Sequence, residues 1–171
     1  MDCRIKWLKL LLGLEEEKKE EEELPTYSGS RQDEIAEGEK EMPKYGKRSK
    51  RRMEGIDSRL REVLDELIKI MDVTIIEGVR STEKQQEYFK NGKSKIDGVK
   101  KKGQHQIGKA VDLAPYPIDW NDRDRMHYMG GMLRGIGHMM GYKLRWGGDW
   151  DRDGETKDNK FDDLVHIEIR S

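Results

Sequence analysis

Apolar residues recur at every third or fourth position in two stretches of the chain, and each stretch predicts an amphipathic helix with one buried face. The first helix begins at Asp57 or Ser58, since either side chain can cap a helix. Its apolar face consists of Ile56, Leu60, Val63, Leu64, Leu67 and Met71. The second helix begins after Asn121, and its inner face consists of Met126, Met129, Leu133, Ile136 and Met140.

Elsewhere the pattern changes to short runs of β-branched and apolar residues, which predict buried strands. These runs cover residues 73–79, 109–114, 143–146 and 164–169. A shorter helix is predicted from Thr82, which forms a capping box with Gln85, to the residue before Gly92. Helices and strands alternate without a regular βαβ repeat. The predicted fold class is therefore α+β, with a small antiparallel sheet packed with helices.

Charge divides the chain into two regions. Residues 1–45 contain 13 acidic and 8 basic side chains, while the whole chain has a net charge of −1, so the remainder is basic by +4. The block at residues 15–23 is EEEKKEEEE, which has nothing to bury, and the residues that follow it are rich in Glu, Ser and Gly. We expect residues 1–44 to be a disordered charged tail and residues 45–171 to be one folded domain.

Several classes of protein are disfavoured by composition. Cys3 is the only cysteine, so one chain cannot form a disulfide framework or a Cys-based zinc site. The apolar segment at residues 7–14 is too short to span a membrane, and it lacks the small-residue cleavage site of a signal peptide. Six basic side chains in residues 44–52 are either a solvated stretch or a contact with an anionic polymer. We expect a protein that is not inserted in a membrane, because its apolar segment is too short. We also expect it to be a monomer.

Two short segments carry the residues with metal-binding chemistry. Residues 105–112 read HQIGKAVD and residues 163–166 read DLVH. His105, Asp112 and His166 can together hold one zinc ion, and Asp163 supplies a further carboxylate three residues before the last ligand. Three protein ligands leave the fourth position open to water, as in catalytic zinc sites.

These segments belong to a larger pattern that resembles the zinc D-Ala-D-Ala carboxypeptidase and phage L-alanyl-D-glutamate peptidase family. The resemblance runs from Tyr45 to Ile169. It includes YGKRS near the start of the domain, GVRS at 78–81, HQIGKAVDLAPY at 105–116, IDWND at 118–122, LRWGGDW at 144–150 and DLVHIE at 163–168. The IDW and GGDW elements are most similar to the phage endolysin branch, which cuts peptidoglycan stem peptides between L-Ala and D-Glu.

The resemblance implies a role for each matching residue. It implies a single zinc ion on His105, Asp112 and His166, with Asp163 as the catalytic base. Asp162 is a weaker candidate for the base because it lies four rather than three residues before the last ligand. The resemblance also implies that Arg80 faces the substrate, where a guanidinium can bind a carboxylate or a developing oxyanion; the alternative is a surface arginine.

One departure from the family pattern concerns the substrate rather than the metal. The family usually has Ser two residues before the first histidine ligand, and here this position is Gly103. A hydroxyl contact with the substrate is therefore missing. His127 and His138 fall on the second long helix and are predicted to be residues of the helix surface.

The function implied is that of a zinc endopeptidase acting on peptidoglycan stem peptides, as a phage lysis enzyme with no nucleic-acid partner. Such an enzyme would accumulate in the host cytoplasm and act on the wall after release. Two alternatives remain open: a D,D-carboxypeptidase that uses the same zinc site, and a non-catalytic wall-binding module of the same fold. The presence of Asp163 beside three ligands argues against a binding module.

A second metal site is suggested by residues 149–155, DWDRDGE. Asp149, Asp151, Asp153 and Gly154 occupy positions 1, 3, 5 and 6 of an EF-hand calcium loop, but position 12 is Lys160 rather than Glu. Some phage relatives carry a calcium-binding acidic loop here. The residues therefore indicate either a weak calcium site or an acidic solvated turn.

Overall fold

The computed structural model describes residues 41–170. Four α-helices and four strands make up this region, so the predicted α+β class is confirmed. The predicted disordered tail lies almost wholly outside the described residues. In chain order the elements are α1 (Lys47–Arg52), α2 (Ser58–Ile70), β1 (Val73–Glu77), α3 (Thr82–Lys90), a 3₁₀ turn (His105–Ile107), β2 (Ala110–Pro115), α4 (Arg123–Met139), β3 (Leu144–Gly147) and β4 (Asp163–Ile169).

The four strands form one antiparallel sheet in the order β1-β2-β4-β3. Along β2 and β4 the side chains alternate between two faces, as strand geometry requires. Val111, Leu113 and Ile167 belong to the hydrophobic core, where α2 and α4 contribute half of the remaining buried apolar side chains. Asp112 and His166, at the intervening positions, are paired across the two strands. The sheet therefore has an apolar face covered by helices and a second face that carries polar chemistry.

Two glycines set how closely α4 approaches the sheet. A Cβ atom on Gly130 would lie 2.4 Å from the ring of Trp146, and one on Gly137 would lie 2.4 Å from Leu144. Both glycines are buried. The helix thus packs its backbone directly against β3, although glycine in a helix interior costs about 0.5–1 kcal/mol relative to alanine.

Helix starts differ from the predicted ones by a single residue. The cap of α3 is Ser81, whose hydroxyl accepts a hydrogen bond from the amide of Lys84, and Thr82 is the first helical residue rather than the cap. The cap of α4 is Asp122, which accepts from the amide of Arg125, so the prediction of Asn121 is also wrong. For α2, Asp57 is the cap, as expected.

The short helix α1 has no counterpart in the predicted elements. It is held against β1 by polar contacts rather than by an apolar stripe: the Ser49 hydroxyl accepts from the amide of Ile75 at 3.2 Å, and Arg52 donates to the Ile75 carbonyl at 2.7 Å. Just before it, the buried Tyr45 hydroxyl donates to the Leu64 carbonyl at 2.6 Å. These contacts join the start of the domain to α2 and β1.

Within residues 41–170, no helix has the length and apolar character needed to cross a bilayer.

Candidate metal centre

Three elements bring the predicted metal ligands together. Asp112 lies on β2 and His166 lies directly opposite it on β4. His105 opens the 3₁₀ turn that precedes β2, and this turn ends at Gly108, whose φ is +70°. A Cβ atom there would also lie 2.5 Å from the Gly55 carbonyl. A glycine at position 108 is therefore what allows the chain to turn His105 back over the sheet.

The donor atoms of these three residues form a nearly equilateral triangle. Nε2 of His105 lies 3.1 Å from Oδ1 of Asp112 and 3.2 Å from Nδ1 of His166, and the third side, from His166 to Asp112, is 3.0 Å. Ligands about 2.0–2.1 Å from a tetrahedral zinc ion are about 3.3 Å apart. The triangle therefore matches one face of a zinc tetrahedron, and the two-nitrogen, one-carboxylate donor set suits that ion.

Each histidine has an acceptor on its other ring nitrogen. Nδ1 of His105 is 2.9 Å from the Gly78 carbonyl, which can only accept. Nε2 of His166 faces Oε2 of Glu168 at 3.4 Å. These partners favour the tautomers that leave Nε2 of His105 and Nδ1 of His166 free to bind a metal.

The charges of the three ligands are strongly coupled. Burial alone would raise the pKa of Asp112, but hydrogen bonds from His105 and His166 outweigh this effect and hold the pKa well below its usual range. Burial alone would lower the pKa of His166, yet the hydrogen bonds to Asp112 and Glu168 raise it to about 9. A metal can bind Nδ1 of His166 only when that nitrogen carries no proton, so metal affinity should depend on pH.

Asp163 and Asp162 have different surroundings. Asp163 lines the cleft that contains the three ligands, and burial together with the negative charge of Asp112 raises its pKa. Asp162 instead accepts a hydrogen bond from Arg123 at 2.5 Å, at the start of α4. Asp162 thus lies just before β4, whereas Asp163 is the first residue of β4 and lies in the cleft with the ligands.

A cleft with a volume of about 670 Å³ opens over the ligand triangle. Its wall includes Arg80, Gly103, Arg145 and Trp150. Gly103, the position at which the family usually has Ser, is thus a residue of the wall, and the missing substrate contact stays a prediction. The volume is ample for a short peptide.

Arg80 lies in this wall with its guanidinium already engaged. It donates to Glu77 through Nε and Nη2, and to the side chain of Gln85 through Nη1 at 3.0 Å. The guanidinium also lies over the ring of Tyr88, 4.6 Å from the centroid, and its Nη2 is 3.9 Å from Oδ2 of Asp112. Arg80 is therefore a fixed positive charge beside the ligands rather than a mobile surface side chain.

Sequence reasoning assigned no role in the metal site to Glu168, Trp150 or Gln85. Glu168 lies two residues after His166, on the same face of β4, and this spacing is the signal that identifies it. The ring of Trp150 lies 5.5 Å from that of His166. Gln85, which the capping-box prediction used for a helix end, is instead buried and bonded to Arg80, Ser94 and Ile96.

The acidic loop between β3 and β4 also brings its three aspartates together. Oxygen atoms of Asp149, Asp151 and Asp153 lie within 4.8 Å of one another. Asp149 is fully buried, pairs with Arg134 of α4, and accepts a hydrogen bond from the amide of Gly154 at 3.2 Å. Its second oxygen, Oδ1, has no hydrogen-bond partner in the described part of the chain. Asp151 and Asp153 are exposed.

The remaining histidines lie on α4, as predicted. His138 is exposed. His127 is half-buried, with Nδ1 2.7 Å from the Arg123 carbonyl and its ring edge against Trp146. Neither belongs to the cluster of possible metal ligands around Asp112.

Residues 42–170 match the family model described as phage L-alanyl-D-glutamate peptidase. The L-alanyl-D-glutamate peptidase of Escherichia phage T5 is 31% identical over 120 residues, which cover 67% of this chain and 87% of that protein.

Among solved structures, the Serratia marcescens L-Ala D-Glu endopeptidase ChiX aligns with 76% of this chain and 92% of its own, at 21% identity and a TM-score of 0.61. This similarity supports the fold. A vancomycin-resistance D,D-pentapeptidase in complex with Zn(II) aligns with 67% of this chain and 72% of its own at 20% identity, with a TM-score of only 0.42.

Proposed function

The chain belongs to the phage L-alanyl-D-glutamate peptidase family, and we propose that it hydrolyses the L-Ala–D-Glu bond of peptidoglycan stem peptides with a zinc ion held by His105, Asp112 and His166. The observation that carries this proposal is the triangle of donor atoms with sides of 3.0–3.2 Å. A metal-free hydrolase would have no need of two imidazoles and a carboxylate converging on one point.

The zinc ion would activate the water and the scissile carbonyl. Zinc, when bound, lowers the pKa of a water molecule towards about 7 and polarises the carbonyl of the scissile bond. The other steps belong to the protein. Asp163 accepts a proton from the attacking water and delivers it to the nitrogen of D-Glu as the peptide bond breaks. A raised pKa of Asp163 suits a group that must both accept and donate this proton.

Arg80 is proposed to stabilise negative charge in the cleft. Glu77 and Gln85 hold its guanidinium, and its Nη2, which donates to Glu77, also lies 3.9 Å from Oδ2 of Asp112. A rigid cation at this position can bind a carboxylate of the stem peptide, or stabilise the oxyanion that develops on the scissile carbonyl. Because Arg80 is preorganised by its own contacts, either interaction requires little reorganisation.

Digestion of a defined muropeptide tests the bond that is cut. An L-Ala–D-Glu endopeptidase releases a fragment that begins at D-Glu, whereas the alternative, a D,D-carboxypeptidase, releases free D-Ala. Mass spectrometry of the products distinguishes the two. Release of D-Ala alone would replace the proposed reaction by the alternative, and no cleavage at all by zinc-loaded protein would favour a wall-binding module.

Metal analysis tests the zinc site separately. We expect one zinc per chain in the purified protein, and loss of that zinc in His105→Ala and in His166→Ala. His138→Ala is the matched control, because His138 is exposed on α4 and outside the cluster. Full activity in a strong chelator, with no zinc detected at neutral pH, would refute the assignment.

The organisation of the chain is part of the same proposal. Residues 45–171 are proposed to form the peptidase domain, and residues 1–44 a charged extension that catalysis does not require. The matched family model begins at residue 42, which supports this division. As a phage lysis enzyme, the protein is proposed to accumulate in the host cytoplasm as a monomer and to act on the wall after release.

Calcium in the loop at residues 149–154 is a further proposal. Three aspartates share this turn, and one oxygen of the fully buried Asp149 has no hydrogen-bond partner among the described residues. A calcium ion would relieve the repulsion between the carboxylates. Arg134 already neutralises part of this charge, so binding is expected to be weak.

A further inference from the structure

His166 can serve as a metal ligand in only one of its two neutral forms. Nδ1 is the atom that faces Asp112 and His105, at 3.0 Å and 3.2 Å. A neutral imidazole carries one proton, so Nδ1 has a free lone pair only when Nε2 carries that proton. Whatever accepts a hydrogen bond from Nε2 therefore selects the form that binds.

Glu168 provides that acceptor. Its Oε2 lies 3.4 Å from Nε2 of His166, and its side chain is only 3% exposed. The two residues are separated by one position on β4, so both side chains project from the same face of the strand. We propose that Glu168 is a positioning residue, which fixes the tautomer and ring orientation of His166 and thereby sets the affinity of the site for its metal.

Two arginines form ion pairs with the buried carboxylate of Glu168. Arg145 donates to Oε1 of Glu168 through Nε at 2.7 Å, and Nη1 of Arg170 donates to the same oxygen at 3.2 Å. Both cations thus occupy Oε1, which leaves Oε2 for His166. A carboxylate this deeply buried would otherwise carry a large desolvation cost.

The face of the imidazole is supported by the same arginine. Trp150 lies against the His166 ring, with centroids 5.5 Å apart and planes tilted by 34°, and the guanidinium of Arg145 lies 5.0 Å from the centroid of the Trp150 ring. Arg145 therefore contacts both groups that touch His166, one at the ring edge and one at the ring face. The ring has little freedom to rotate away from the metal position.

The other histidine ligand does not depend on a side chain in this way. His105 has the Gly78 carbonyl as its acceptor, at 2.9 Å. Gly78 is fixed by close packing, since a Cβ atom there would lie 1.8 Å from the Arg52 carbonyl oxygen. A single substitution at position 168 thus removes the acceptor of one ligand and leaves that of the other in place.

This inference rests on the proposed zinc site, so the first measurement is the zinc affinity of the wild-type protein by competition with a chromophoric chelator. Wild-type protein that binds no zinc would refute the proposed function itself. Given a wild-type site, Glu168→Ala is expected to weaken zinc binding by about 10–100-fold, the usual effect of removing an outer partner of a ligand. Glu168→Gln keeps an acceptor oxygen and should lose less. Glu66→Ala, on the exposed face of α2, is the matched control and should bind as the wild type does.

Loss of zinc affinity has a competing explanation, because removing Glu168 leaves the charges of Arg145 and Arg170 uncompensated near the metal. The double variant Glu168→Ala with Arg170→Ala separates the two causes, because it removes one of these charges and keeps Arg145 against the Trp150 ring. If the hydrogen bond matters, the double variant stays weak; if it recovers wild-type affinity, charge repulsion is the cause and the proposal is wrong.

The imidazole itself supplies a readout that a merely structural role would not change. In zinc-loaded wild-type protein, long-range ¹H–¹⁵N NMR should show His166 protonated at Nε2, with that proton protected from exchange. In folded Glu168→Gln and Glu168→Ala, protection should fall in the same order as the zinc affinity. Unchanged affinity and an unchanged Nε2 proton in Glu168→Ala would overturn the inference while leaving the zinc site intact.

Discussion

Replacing Gly147 by alanine should misplace Asp163 without touching a metal ligand. Gly147 pairs with Asp163 at the point where the register between β3 and β4 shifts. A Cβ atom on Gly147 would lie 2.2 Å from the Asp163 carbonyl oxygen and 3.0 Å from the Asp163 Cβ atom. The closest of these atoms belongs to the backbone, so relief requires the two strands to separate by about 1 Å. Gly147 itself needs no unusual backbone angle.

The size of the effect follows from this displacement. Overpacking of this kind costs about 1–3 kcal/mol of stability. A catalytic group moved by about 1 Å can lower the rate about 10²-fold. His166 lies three residues further along β4 and is held by Asp112 and Glu168, so zinc affinity should change little. The expected signature is therefore a fall in kcat with zinc retained.

Two measurements and one control check the reasoning. The assay is kcat on a defined muropeptide with the zinc content measured in the same sample, and urea unfolding gives the stability. Gly131→Ala on α4 is the control, since a Cβ atom there would have no neighbour within 4 Å. This variant should keep its kcat, and its free energy of unfolding should rise by about 0.5–1 kcal/mol. If Gly147→Ala lost stability but kept its full kcat, the placement of Asp163 against β3 would not matter for catalysis, and the role assigned to Asp163 would be in doubt.

Four further predictions follow from the proposals and the fold. Asp163→Asn should keep zinc and lower kcat by about 10²–10⁴-fold, whereas Asp162→Asn should be nearly neutral; the reverse result would move the base by one residue. The hydrogen bonds of Asp57 with Arg59 outweigh its burial and lower its pKa, so its capping stabilises the fold above pH about 4 and is lost on acidification; Asp57→Ala should cost about 0.5–2 kcal/mol at pH 7 and less at pH 3 by urea unfolding. Activity should rise with calcium at about 10⁻⁵–10⁻³ M, and calorimetry without binding, together with an unchanged Asp151→Ala, would leave only an acidic turn. A chain without residues 1–44 should fold and cut isolated peptide, which circular dichroism and the muropeptide assay can check.

The elements with a strong hydrophobic period were predictable from the sequence. The stripe of α2 and the inner face of α4 are buried as expected, because burial of one face is what the three- and four-residue spacing encodes. The strands agree with their predicted ranges to within two residues. The positions of His105, Asp112, His166 and Asp163 in one cleft also agree with the expectation, although their roles remain proposals.

The features that sequence reasoning missed depend on contacts between distant segments. Thr82 is not a cap because its hydroxyl accepts instead from Lys102 and Gln106, about 20 residues away. Likewise, α1 has no apolar period and is fixed by polar contacts with β1. The close approach of α4 to Trp146 at Gly130 is not indicated by any pattern in the local sequence. Hydrophobic periodicity predicts which face of an element is buried. It does not predict which hydrogen-bond partner a polar side chain has.

The ligand triangle also has a mechanical consequence. His105 and His166 are 61 residues apart in sequence, so an ion on the triangle would close a loop that contains all of β2, α4 and β3. In the chain-entropy model, a cross-link that closes a loop of this length removes about 4 kcal/mol of freedom from the unfolded chain. The cross-links that disulfides provide in many secreted proteins would here be supplied by coordination bonds, which chelators remove and reducing agents do not. Proteolysis within residues 113–165 should accordingly become much faster once the metal is stripped.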